Sequence, residues 1–133
     1  MKTPKITQSP ASGKTITYLL FILRLLAAAA FLAAGGAKLA GMPMMVAIYE
    51  HIGLGQWFRI LTGMIEVISA IALLIPSLSG LAGCVLAITM CCAIVTHLFV
   101  IGGNPLPAII LLLMTAGIAW FNRADILHLL RKR

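Results

Sequence analysis

Glu66 stands about ten residues into an apolar run that opens near Trp57, and it is the only acid in that run. A carboxyl in such surroundings must find a cation or carry a proton. At helical spacing its neighbours are Arg59, Thr62, Gly63, Ser69 and Ala70, a small and polar stripe that should face other helices. Two readings are open: a carboxyl that accepts protons or binds a ligand, and a buried carboxyl that locks helix packing. Lys38 closes an earlier apolar run, fourteen residues after Arg24. That spacing is four turns, so both cations lie on nearly one face, with Ala28, Phe31 and Gly35 between them. Both can snorkel to a membrane surface, or Lys38 can turn inward to pair with Glu66 or Glu50. His97, near the end of a third run, shares a face with Met90 and Ala93. It can donate to Glu66, hold a ligand, or serve only as a packing group. Glu50 and His51 sit in the link between the first two runs, placed to roof the same region, and Arg59 opens the second run beside them.

The elements that position these residues are apolar helices. Of 133 residues, 62% are hydrophobic and 10% charged, with mean hydropathy +1.09. A soluble domain is nearer half apolar and a quarter charged, so the solvent here is lipid. Four runs, about 17–40, 57–75, 78–101 and 105–121, each hold at least 17 residues. At 1.5 Å per residue each is long enough for a hydrocarbon core of roughly 30 Å. Lipid leaves no partner for unpaired backbone, so the spans are read as helices; four strands would not close a barrel. The breaks carry turn residues: Pro76-Ser77-Leu78-Ser79-Gly80, and Gly102-Gly103-Asn104-Pro105 with Asn104 placed to cap and Pro105 to open the next helix. Links this short force antiparallel neighbours. The expected fold is an all-α integral membrane four-helix up-down bundle.

The longer link, 41–56, has a pattern of its own. Pro43 can open and Gly53 can close a short helix. On it Met45, Ile48, Tyr49 and Ile52 share one face, with Glu50 and His51 toward the other, which suits a helix lying in the interface. Residues 1–15 read as a disordered tail, residues 16–122 as the transmembrane domain, and residues 123–133 as a basic C-terminal segment with Asn122 as its cap. Lys2, Lys5 and Lys14 at one end and Arg123, Arg131, Lys132 and Arg133 at the other place both termini in the cytoplasm by the positive-inside rule. The candidate residues other than Arg24 then gather in the outer half, as an outward-opening polar cleft of the kind that takes small ligands between helices. A cleaved signal peptide ending near Ala33-Ala34-Gly35 is the competing reading of the start, although the apolar run is longer than a usual signal core.

Other chemistries find little support. Cys84, Cys91 and Cys92 form no CxxC pair. Cys84 and Cys91 are two turns apart, roughly 10 Å, too far to bridge. A vicinal Cys91–Cys92 bond is strained, so all three read as small packing residues. No ligand pair at helical spacing and no EXXH occurs, so no metal site is expected. The net charge of +7 sits mainly at the ends and suits anionic lipid headgroups rather than nucleic acid.

Arg24, then Phe31-x3-Gly35-x2-Lys38-Leu39, Ile52-Gly53-Leu54, Gly63-x2-Glu66, Leu73-Leu74-Ile75-Pro76 and Ala93-x3-His97 together resemble the DoxX-like family, over about Thr17 to Asn122. The resemblance implies a small four-helix protein of the bacterial inner membrane, with motif positions at Arg24, Gly35, Lys38, Gly63, Glu66, Pro76 and His97. It implies a link to membrane oxidoreductase systems, in which a quinone is the ligand to expect and a membrane or peripheral redox protein the partner. Self-association is a further expectation. The missing CxxC pair sets thiol exchange apart from this chain. An accessory, ligand-holding subunit is the leading expectation. A non-catalytic scaffold or assembly factor and a small transporter are the alternatives.

Overall fold

The largest exposed side chains are apolar, and several enclosed ones are polar. Phe99 is 81% exposed, while Glu66, Ser79 and Thr115 are at most 3% exposed. This inverts the arrangement of a soluble protein and fits lipid outside and polar contacts within. The computed structural model describes residues 10–132, and these form α1 (Pro10–Leu39), α2 (Pro43–Ile52), α3 (Gln56–Leu73), α4 (Ser79–Thr96), α5 (Leu106–Phe121) and α6 (Arg123–Arg131). No strand occurs among the described residues.

The segments Gly13–Leu39, Gln56–Leu73 and Ser79–Ile101 are each long and apolar enough to cross a membrane. A fourth crossing arises when α5 and α6, bent by 58° at Asn122, are taken as one span. α5 alone has 16 residues, one fewer than expected. The start also differs from expectation. α1 already includes residues 10–15, because proline is tolerated in a first helical turn; the rest of the expected tail lies outside the described residues.

Helix ends follow the local chemistry with two exceptions. Gly53 closes α2 with φ 81°, its N–H donating to Tyr49 O. Asn104 Oδ1 accepts from Leu106 N at 3.0 Å and ties down the first turn of α5. Asn122 departs from its expected capping role. Its Nδ2 donates backward to Ile118 O at 2.7 Å, the same carbonyl that accepts from its own backbone N–H at 3.1 Å. The second exception is at the end of α4, where His97–Ile101 winds as a π-helix and stops at Gly102 in the left-handed region. No capping or periodicity signal announced that wider turn.

α1 packs chiefly on α3 and α4 chiefly on α5, with α3 and α4 joining the two pairs. Glycines set the approach. A Cβ on Gly35 would stand 2.9 Å from Gly63 O and 2.8 Å from Val67 Cγ2; one on Gly63 would stand 3.0 Å from Lys38 Cβ. Residue 35 thus meets 63–67 while residue 38 meets 63, so α1 and α3 run antiparallel. Likewise Gly80 abuts Asn122 and Gly83 abuts Thr115 and Ala119, so α5 returns along α4. The core between the pairs holds Phe31, Leu73, Leu86 and Ile118, all fully enclosed.

Adding a methyl at position 35 must push α1 off α3, whereas Gly36 has open space. Gly35→Ala should cost about 1–3 kcal/mol, and Gly36→Ala should stay within about 0.5 kcal/mol of wild type, as measured by unfolding in detergent.

Candidate functional site

The close approach of α1 and α3 brings two opposite charges together. Lys38 Nζ donates to Glu66 Oε2 at 2.8 Å, with side-chain exposures of 13% and 4%. This is the inward turn that competes with snorkelling for Lys38. A charge so deep is tolerated because its partner arrives with it. Arg59 braces the pair from behind. Its Nη1 donates to Lys38 O at the end of α1, and its Nε donates to Gln56 Oε1 at 2.6 Å. Gln56 Nε2 in turn donates to Val46 O at 3.1 Å, so the same chain of bonds reaches α2.

Below α2 lies a cavity of about 320 Å³. The face of α2 that the sequence marked as apolar, Met45, Ile48, Tyr49 and Ile52, forms its roof. Lys38 and Glu66 are in one wall; Met90, Ala93 and His97 of α4 and the π-helical segment are in another. Most of the lining is apolar, so the expected polar cleft is in fact an apolar chamber with a few polar groups.

Those groups are not equally free. Thr62 Oγ1 donates to Phe58 O and Arg59 O, at 3.0 and 3.1 Å, in its own helix. Its lone pairs therefore accept from Tyr49 OH at 2.6 Å. Burial pushes the Tyr49 hydroxyl above the usual phenol range, which keeps that donor protonated. His97 differs: its Nδ1 is enclosed and has no hydrogen-bond partner. An enclosed ring nitrogen without a partner is costly, so something should meet it.

The structure thus brings three of the sequence candidates, Lys38, Glu66 and His97, to one cavity. Arg59 stands behind the pair and does not line the chamber. Glu50 and His51 are exposed on α2, away from the roof face. The helix presents its apolar stripe to the chamber and turns these polar residues outward, and His51 Nε2 donates to Val100 O at 3.2 Å. Arg24 is half-buried on α1, four turns from Lys38 and off the chamber, with its Nε enclosed and unpartnered. Tyr49 and Thr62 were visible in the sequence as members of stripes, but nothing in their spacing showed that the two stripes meet. Thr89 and Thr96 also border the chamber, as does Cys92; all three cysteines are free thiols.

Apolar helices around an internal chamber, with ions paired inside and lipid-facing side chains outside, define a small multi-pass membrane protein. The chain belongs to the DoxX-like family, whose model matches residues 22–121. That range contains the Lys38–Glu66 pair, His97 and the whole chamber lining. Comparison with curated proteins and with solved structures found no match.

Removing one ion strands the other. Lys38→Met should cost about 3–5 kcal/mol, and pairing it with Glu66→Leu should restore most of the loss. Unfolding of the single and double variants in detergent measures both.

Proposed function

We propose that this protein is an accessory subunit of a bacterial inner-membrane redox system, and that its chamber holds a lipid-soluble quinone. The observation that carries the reading is the Lys38–Glu66 pair and the His97 ring lining one apolar chamber. The chamber is at the small end of the roughly 300–1,000 Å³ of ligand sites, which suits one ring and the start of a tail. Its donor set also fits. A quinone ring is apolar at its faces and has oxygens at its edge, while the chamber offers apolar walls and a few polar atoms.

When bound, a quinone supplies two-electron, two-proton redox chemistry. The protein's own residues would do the rest. His97 would meet a ligand oxygen, and Glu66 would take or give a proton at Oε1, the carboxylate oxygen that Lys38 leaves free. Lys38 offsets negative charge that develops nearby, in surroundings where such an interaction is strong. Arg59 acts on Lys38 through the α1 backbone and does not reach the ligand.

Protein purified in mild detergent without added ligand should carry a quinone-sized mass in native mass spectrometry. Glu66→Gln and His97→Ala should lose it. An empty wild-type monomer would sink the quinone reading. A stoichiometric protein partner retained by wild type and Glu66→Gln alike would move the assignment to a scaffold.

The same proposal takes both termini to be cytoplasmic. It is supported by the basic ends and by the way α5 returns along α4. A fluorescent-protein fusion after Arg133 should be bright, and an alkaline phosphatase fusion there inactive. The reverse pattern would overturn the cytoplasmic placement of the C-terminal end.

A further inference from the structure

A second cavity lies on the opposite pair of helices. It is a groove between α4 and α5, open to the side, with Ala87 and Ile88 on one wall and Ala116 and Ala119 on the other. Small residues make it, because three alanines leave room where larger side chains would fill the surface. Trp120, Arg123 and Ile126 close its end beside α6.

That end carries the charge. The Arg123 guanidinium sits 4.6 Å from the Trp120 ring centroid, and its Nη1 donates to Trp120 O at 3.0 Å. These two contacts fix the head of a side chain that is otherwise exposed, and most of its N–H donors stay unused. Past it, α6 leaves α5 at 58° and adds Arg131 and Lys132 against the single acid Asp125. Leu127 and Leu130 on this helix are 56% and 68% exposed, as suits a helix lying along a membrane surface. Trp120 beside such a helix is also the residue type that gathers at the headgroup level.

We propose that the groove is a binding site for an anionic phospholipid, with the phosphate on Arg123 and one acyl chain between α4 and α5. The order of chemistry matches the ligand from end to end. A held cation stands at the rim, an aromatic lies beneath it, and an open apolar groove runs from there between α4 and α5. A soluble phosphate has no use for the groove, and a zwitterionic lipid brings a choline that Arg123 repels. This site is separate from the chamber beneath α2 and does not depend on what the chamber holds.

Purified protein should be titrated with dioleoyl phosphatidylglycerol and, separately, with dioleoyl phosphatidylcholine, and lipid adducts counted by native mass spectrometry. Wild type should retain the anionic lipid by about five-fold over the zwitterionic one, the worth of one arginine near a membrane surface. Arg123→Gln should erase that preference, and Arg123→Lys and Arg131→Gln should keep it. Ala116→Leu, which fills the groove, should lower retention of both lipids. Glu66→Gln should change neither. Equal retention of the two lipids by wild type, or an unchanged preference in Arg123→Gln, overturns the proposal. So does displacement of phosphatidylglycerol by an equal concentration of glycerol phosphate, which would show a phosphate site without a chain site.

Discussion

The ion pair between Lys38 and Glu66 exists because two backbones come closer than side chains normally permit. Gly35 and Gly63 remove the Cβ atoms that would hold α1 and α3 apart. Without that approach Lys38 would reach for the interface and Glu66 would be left alone in the apolar interior. With it, two expensive groups cancel each other where lipid and water are both excluded. The pair is thus less a source of stability than a constraint. It fixes the register of α1 against α3, since slipping either helix by one turn would separate the charges by about 5 Å.

The chamber follows from this register. Arg59 reads the same approach from the other side, bonding the last turn of α1 while Gln56 catches the backbone of α2. α2 is too short to be stable alone, and the polar chain, with the Tyr49–Thr62 bond, holds it across the mouth of the bundle. α4 and α5 then supply the far wall, where the π-helical turn carries His97 and Ile101 into the lining. One close contact between two helices thereby sets where a third can lie and what it covers.

The sequence made the helices easy to read, because lipid imposes a length and a polarity that few other structures share. It also showed the apolar stripe of α2, which faces the chamber, and the small stripe around Glu66, of which Thr62 and Glu66 reach the chamber while Gly63 meets α1. Pairings across helices were harder. Lys38 had Glu66, Glu50 and the interface as open choices, and only the glycine approach decides among them. Glu50 and His51 were candidates because loop residues beside a cleft can turn in. The roof face was already taken by their apolar neighbours, so they turn out. The π-helical segment left no trace, since its residues, His97 to Ile101, are ordinary helix formers and its contact with α2 lies across the fold. Asn122 differs too: its position suits a cap, but its side-chain amide turns back onto Ile118 O, which also accepts from its backbone N–H.

The two ions of the pair are separated by 28 residues of chain. At roughly 5–20 residues per second of synthesis, Lys38 reaches the membrane some seconds before Glu66 does. Through that interval its ammonium has no partner and must stay at the surface on its flexible stem. When α3 follows, Glu66 comes to a neighbour already in place. The order of translation thus spares the bilayer the harder case, a carboxylate without a stem long enough to escape, and makes α1 the template on which α3 is inserted.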